Sequence, residues 1–267
     1  MGSQTGKTII VTGSSSGIGF ACAQRLLADG ARVVGGDRVE PGEQPGKGSD
    51  SWSFRQTDVT DEQSVAALVH QANGVSGRID GVVNAAGVAG GGPVHLLDAA
   101  EWNRVLSVNL TGTFFVAKHV ITQMLTQERV GGERGSVVTI ASIEGVEGTA
   151  GGSVYSASKG GVVILSKNMA IDYARVGIRV NTICPGFIDT PMTRPGIFGP
   201  GMEEFEGEVI REHKLGRTGQ PEEIASAASF LLSRDASFVT GHALVVDGGY
   251  TAGRDHGVTK LLGLEGP

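Results

Sequence analysis

Thr8-Ile9-Ile10-Val11-Thr12-Gly13-Ser14-Ser15-Ser16-Gly17-Ile18-Gly19 joins a short strand-like run to a glycine turn, and Phe20, Ala23, Leu26 and Leu27 continue from it with helical period. A turn without Cβ atoms lets backbone N–H groups approach a pyrophosphate, and the helix N-terminus adds partial positive charge. The glycines stand at 13, 17 and 19 rather than in the common G-x-G-x-x-G spacing, so the turn alone reads equally well as a tight strand-to-helix connection. Asp37 separates the two readings. It ends the next strand candidate at about the 20-residue interval where an acid meets adenosine ribose hydroxyls. The same carboxylate favours NAD over NADP, because a 2′-phosphate would add nearly two negative charges beside it, a repulsion of several kcal/mol at ~4 Å and an effective dielectric of ~20. Arg38, next in the chain, is the group that could instead accept that phosphate.

Working outward, further apolar runs at Arg32–Gly35, Ser53–Gln56, Gly81–Asn84, Ser136–Ile140, Arg179–Ile183 and Ala243–Val246 bring the expected strands to seven. Helical patterns separate them. Val65, Leu68, Val69 and Ala72 follow a Thr60/Gln63 capping box; Asp98 and Glu101 precede Trp102, Val105, Leu106 and Val108; Pro221 opens a helix through Ile224, Ala227, Ala228 and Leu231. Strands alternating with helices predict an α/β fold, a Rossmann-type doubly wound parallel seven-stranded sheet with helices on both faces. Glu40–Asp50, rich in Pro and Gly, reads as a loop where a crossover helix is expected, and Thr190–Gly219 and the tail after Gly253 lack a regular pattern. No linker or repeat interrupts the alternation, so one domain is expected over residues 1–267, with 254–267 as a C-terminal extension.

Glycine accounts for 43 of 267 residues, about 16%, while 40% apolar and 19% charged residues are compatible with a sizeable core. A net charge of −6 argues against a nucleic-acid or anionic-membrane surface. No apolar run approaches the ~18 residues of a membrane span. Cys22 and Cys184 form no framework, which fits a reducing cytoplasm, and six scattered histidines without ligand spacing predict no metal site.

Tyr155-Ser156-Ala157-Ser158-Lys159 sets a phenol and an ammonium one helical turn apart. A Lys⁺ at ~4 Å could supply ~4 kcal/mol toward the ~3–4 kcal/mol needed to bring a phenol into use near pH 7–8, although burial opposes it. With these residues the chain resembles the short-chain dehydrogenase/reductase family in its single-domain form, over about Lys7 to Ala252. The family's TGxxxGxG matches Thr12–Gly19, covering Gly13, Ser15, Ser16, Gly17, Ile18 and Gly19. Its adenine-bordering Asp-Val matches Asp58-Val59, and its N-N-A-G matches Asn84-Ala85-Ala86-Gly87, with Ala85 replacing the second Asn. Its active-site Asn and Ser correspond to Asn109 and Ser142, its Y-x-x-x-K to Tyr155 and Lys159, and its nicotinamide-orienting segment to Pro185, Gly186, Ile188 and Thr190.

The resemblance implies an oxidoreductase moving a hydride between a secondary alcohol or ketone and NAD, less readily NADP. Tyr155 would exchange the hydroxyl proton, Lys159 would hold the nicotinamide ribose and lower the phenol pKa, Ser142 would bond the substrate oxygen, and Asn109 would place a water toward Lys159. Alternatives are an NADPH-dependent 3-oxoacyl reductase, which Asp37 and the lack of a basic residue at Ser16 disfavour, and a non-catalytic dinucleotide-binding regulator. The substrate walls are expected from Ala89–His95, Ile143–Gly152 and the segment after Thr190, with Thr190–Gly219 as a lid carrying Ile197, Phe198, Met202 and Phe205. Consecutive apolar residues, Phe114-Phe115-Val116 and Val162-Val163-Ile164, point around two long helices and imply a covering subunit; similar proteins suggest a homotetramer, with Val258, Leu261, Leu262 and Leu264 of the tail docking on a neighbour.

Overall fold

β1 (Thr8–Thr12) is buried at every position, with Ile9 and Val11 in the core on one face and Ile10 in the core on the other. That is the requirement of a strand covered by helices on both sides. The computed structural model describes residues 3–46, 48–197 and 199–264; the side chains of Ile197 and Phe198 and residues 265–267, on which part of the lid and tail expectations rested, lie outside the described residues.

β1 pairs in parallel with β2 (Arg32–Asp37) and β4 (Gly81–Asn84); β3 (Trp52–Gln56), β5 (Gly135–Ile140), β6 (Ile178–Pro185) and β7 (Ala243–Val246) complete a seven-stranded parallel sheet in the order β3-β2-β1-β4-β5-β6-β7. The expected strands are all present, and β2, β3, β5 and β6 extend beyond their apolar runs by one to three residues. The order reverses at β1/β4, so the connections after these two strands diverge and leave a crevice at their carboxyl ends.

α1 (Gly17–Ala28) and α8 (Pro221–Leu232) cover one face, burying Leu26, Ile224 and Leu231 against Ile9, Val83 and Ile183. On the other face α2 (Glu62–Ser76), α4 (Gly112–Leu125) and α5 (Ser153–Tyr173) bury Leu68, Val120, Met124 and Met169 against Ile10, Val82 and Val137. Residues 38–51 contain no helix among the described residues, as the Pro/Gly composition requires. The capping box proposed for Thr60 and Gln63 is corrected by one position: Asp61 is the N-cap and its carboxylate accepts the Gln63 N–H at 3.0 Å, while Thr60 instead bonds Asp58. Asp98 caps α3 (Ala99–Leu106) by accepting the Glu101 N–H at 2.7 Å.

α3 runs through a π turn at Ser107–Thr111 into α4, one continuous helix over 99–125. Its most apolar 18-residue window has a mean hydropathy of 1.2, within the range of a membrane span, but its buried side chains belong to the sheet-facing core. The segment after β6 is more ordered than its composition suggests: α6 (Arg194–Ile197) and α7 (Glu203–Glu212) lie within it, and α7 begins on three glutamates that suit a helix N-terminus. A short α9 (Val258–Leu261) ends the described chain, with Leu261 and Leu262 exposed.

Candidate active site

Thr12 ends β1 with its hydroxyl tied across the crevice, donating to Asn84 Oδ1 at 2.8 Å and accepting the Ala85 and Ala86 N–H groups at 3.2 Å. This clamp holds the glycine turn against the end of β4. The turn admits no side chains at its closest points: a Cβ at Gly19 would stand 2.0 Å from the Gly13 carbonyl oxygen, and one at Gly13, whose φ is +66°, would stand 2.9 Å from the Ala85 backbone. The space kept open belongs to a cleft of about 640 Å³ along the carboxyl ends of the strands.

Gly13, Ser16, Gly17, Ile18 and Gly19 line the cleft together with Asp37, Arg38, Asp58 and Val59, Ala85, Ala86 and Gly87, and Pro185, Gly186, Ile188 and Thr190, the last lying against Gly17. Two expected cofactor residues do not line it. Ser15 is turned aside, its N–H donating to Asp37 at 3.0 Å and its hydroxyl to the Val39 carbonyl. Asn84 is buried and spent on Thr12 and on the Thr113 carbonyl at 3.2 Å, so its work is joining β1, β4 and α4.

The Asp37 carboxylate also accepts the Arg38 N–H at 2.7 Å, which fixes it at the cleft edge as an acceptor. Arg38 faces Asp58, whose carboxyl is held below the usual range first by hydrogen bonds from Thr60 and also by the Arg38 charge.

Ser142, Tyr155 and Lys159 meet at the inner end of the cleft. Ser142, just beyond β5, accepts the Glu144 N–H at 3.1 Å as the cap of a single 3₁₀ turn, Ile143–Gly145. Tyr155 and Lys159 project from the first turns of α5. Lys159 is buried and donates to the Ile140 carbonyl at 2.9 Å, with its Nζ 5.6 Å from the centre of the Tyr155 ring. Burial brings its ammonium down to about 8. The Tyr155 phenol is pushed up to about 12, chiefly by burial and further by Glu144, with the Ser142 hydroxyl opposing. In the protein alone burial dominates the phenol, and the lysine expected to lower it is directed at a backbone carbonyl.

Asn109 lies outside the cleft lining, buried in the π turn. Its side chain accepts the Val88 N–H at 2.8 Å and donates to the Val88 carbonyl and to Ser158 Oγ, both at 3.1 Å. The amide thus clamps the segment following Gly87 to α5. Any water it places toward Lys159 would have to use its backbone carbonyl, which already accepts from Thr113 Oγ1 at 2.6 Å.

A second cavity of about 490 Å³ adjoins the cleft and shares Ser142, Tyr155 and Gly186 with it. Its walls come from the expected segments, Ala89–Gly90, Ile143–Gly152 and the stretch containing Met192 and Phe205, and from one residue the sequence pattern did not single out, Phe187. Phe187 stacks edge-on with Phe205 and His213 at 6.4 and 6.0 Å. His213 is buried, donates from Nδ1 to the Val209 carbonyl at 2.6 Å and accepts the Phe187 N–H at Nε2, 3.3 Å, an arrangement only the neutral Nδ1–H ring satisfies.

A seven-stranded doubly wound sheet with a glycine-lined crevice and a Ser, Tyr and Lys at its inner end defines a dinucleotide-dependent oxidoreductase. The family model described as enoyl-(acyl carrier protein) reductase matches residues 13–251, and the chain belongs to the short-chain dehydrogenase/reductase family of hydride-transferring oxidoreductases. It is 40% identical to cis-4-hydroxycyclohexanecarboxylate dehydrogenase of Sinomonas cyclohexanicum, over 92% of this chain and 97% of that protein. It is 39% identical to 2,5-dichloro-2,5-cyclohexadiene-1,4-diol dehydrogenase of Sphingobium indicum, over 94% of this chain and 100% of that protein. Among solved structures it resembles levodione reductase at a TM-score of 0.87 and 36% identity, covering 94% and 99% of the two chains.

Proposed function

We propose that this protein is an NAD-dependent dehydrogenase of secondary alcohols carried on a six-membered ring, working reversibly on the corresponding ketones. The observation that carries the reading is the meeting of the two cavities at Ser142 and Tyr155: one cleft has the length and backbone cradle for a dinucleotide, the other has walls for a small ring. The residues fit the group. Gly13 and Gly19 leave backbone where a pyrophosphate needs close approach, Asp37 offers a fixed acceptor to ribose hydroxyls, and Pro185, Gly186, Ile188 and Thr190 line the same cleft, where they would border the nicotinamide. The bound nicotinamide supplies the hydride acceptor or donor.

The chain's own residues handle the rest. Ser142 donates to the substrate oxygen, Tyr155 takes or returns its proton, and Lys159 would hold the nicotinamide ribose, its charge favouring the phenolate. Asn109 ties α5 to the segment after Gly87. The alicyclic substrates named for two relatives and the ring diketone implied by the levodione reductase name support a ring-sized substrate. Asp37 supports NAD, with Arg38 the nearest group able to receive a 2′-phosphate. The 3-oxoacyl reductase alternative lacks a basic residue at Ser16.

Phe114, Ile164 and Ile171 on α4 and α5, and Phe230, Phe238 and Val245 on or near α8 and β7, are large apolar side chains left exposed in the single chain, which supports burial against further copies in a tetramer. α6 and α7, which flank the second cavity, are the elements of a lid. Both cysteines are free and buried, in keeping with a reducing cytoplasm. The experiment is a panel of ring alcohols and ketones with NAD and NADP, followed at the reduced-nicotinamide absorbance: oxidation of cyclic secondary alcohols with NAD is expected, and inertness toward the panel with both cofactors contradicts the reading.

A further inference from the structure

The second cavity carries one charged side chain. Its lining is otherwise backbone, alanine and apolar or hydroxyl groups, with Phe187, Met192 and Phe205 opposite the 143–152 loop; no Lys, Arg or His is among the described residues that line it. The charge is Glu144, two residues past Ser142 and held there by its N–H bond to the Ser142 hydroxyl at 3.1 Å. Gly152 leaves room for the carboxylate, since a Cβ there would stand 2.6 Å from Glu144 Oε2. That oxygen accepts from Ser156 Oγ at 3.2 Å, and the other has no hydrogen-bond partner among the described residues. Arg104, which lines the neighbouring cleft, is spent on Glu101 at 2.7 Å and on the Ala89 carbonyl at 2.7 Å. Glu147 adds negative charge rather than relieving it, and burial with that neighbour holds the Glu144 carboxyl above the usual range.

A half-buried carboxylate with an unfilled acceptor position loses hydration without recovering it inside the protein. A ligand that donates a hydrogen bond there restores the loss, and one that brings a second negative charge is repelled in a low-dielectric pocket. We propose that Glu144 selects the substrate: it accepts a hydrogen bond from a second hydroxyl, so the preferred substrates are neutral ring diols, and it turns away alcohols that carry a carboxylate. This rests on the dehydrogenase reading above. It also separates this chain from a preference for hydroxycarboxylates, the substrate type named for its Sinomonas relative.

The test compares cyclohexanol, 1,4-cyclohexanediol and 4-hydroxycyclohexanecarboxylate with the wild type, Glu144→Gln and Glu144→Leu. Two readouts are taken: kcat/KM with the preferred oxidised cofactor, and dissociation constants for the three alcohols on the enzyme saturated with reduced cofactor, read by quenching of its fluorescence. The wild type should favour the diol over the carboxylate by about a hundredfold, the factor set by one like-charge pair at ~6 Å and an effective dielectric of ~20. Glu144→Gln should cut that ratio at least tenfold by improving the carboxylate, and Glu144→Leu should bring the diol down to the level of cyclohexanol. A wild type that binds or oxidises the carboxylate within about threefold of the diol overturns the proposal, as does a ratio unchanged in both variants or the absence of binding by all three alcohols. If the affinities follow the predicted order but no alcohol is oxidised, the dehydrogenase reading falls and the charge selection stands; normal turnover with equal affinities does the reverse.

Discussion

Lys159 Nζ lies 5.6 Å from the centre of the Tyr155 ring yet gives its hydrogen bond to the Ile140 carbonyl, 2.9 Å away. Even at ~4 Å from the phenolic oxygen and an effective dielectric of ~20, a full ammonium charge would be worth only about 4 kcal/mol to a phenolate. Bringing the phenol from about 12 to a working pH near 8 requires roughly 5 kcal/mol. Lys159 itself, brought down to about 8, is only partly charged there. In the proposed mechanism the remaining stabilisation would come with positive charge on an oxidised nicotinamide.

Burial of the Lys159 ammonium costs stability. Its ordinary value of 10.5 falls to about 8 on folding, so the cost is complete below pH 8, shrinks between pH 8 and 10.5, and vanishes above. Lys159→Met in the cofactor-free protein should raise Tm at pH 7, with about 3 kcal/mol as the ceiling before the lost bond to Ile140 is subtracted. The gain should fade by pH 10.5. Thermal melts across this range check it; a variant less stable than wild type at pH 7, or a difference that does not change with pH, contradicts it.

Asp37 should set cofactor choice. The wild type is expected to use NAD at least a hundredfold better than NADP by kcat/KM, and Asp37→Ala to narrow that ratio by tenfold or more, since it removes both the repulsion and the ribose acceptor. Equal or better use of NADP by the wild type contradicts the assignment.

Gly19→Ala places a methyl group 2.0 Å from the Gly13 carbonyl oxygen, where both partners are backbone. The start of α1 has to move, at a cost of about 1–3 kcal/mol or more. Differential scanning fluorimetry should show a lowered Tm, and NADH titration a dissociation constant raised at least tenfold. Unchanged affinity would show that the turn does not bind the dinucleotide.

Val258, Leu261, Leu262 and Leu264 are between 50% and 86% exposed in the single chain, a poor arrangement for four apolar side chains in water. Sedimentation of the full chain should give a tetramer, and truncation after Gly253 should raise KM if the tail covers a neighbouring site. A monomeric full chain defeats the first statement, and unchanged assembly and KM defeat the second.

Most of the sheet was legible because a strand buried on both faces is a continuous apolar run, as in Thr8–Thr12 and Gly81–Asn84. The ends were less so: β2 continues through Gly36 to Asp37 on ladder hydrogen bonds that carry no hydrophobic signature. The π turn at Ser107–Thr111 was invisible, since inserting one extra residue per turn there leaves the apolar pattern on either side intact. Gly207 inside α7 and the short α6 concealed the order after Thr190. At the site, motif position located the cleft residues but could not distinguish Asn84, which faces inward to Thr12, from the glycines that face the crevice. Nor could it show that burial and Glu144 both push the phenol upward.

The central claim, that Tyr155 handles the proton while hydride leaves the same carbon, is tested most directly with a cyclic secondary alcohol deuterated at the carbinol carbon. Wild type and Tyr155→Phe are each mixed with this alcohol and NAD, and the reduced cofactor is analysed by absorbance and mass. The wild type should transfer deuterium to the nicotinamide, whereas Tyr155→Phe, binding the cofactor nearly as well because little packing volume is lost, should fall by at least a thousandfold in kcat. Deuterated reduced cofactor formed by Tyr155→Phe at the wild-type rate, or none formed by the wild type, would contradict the account.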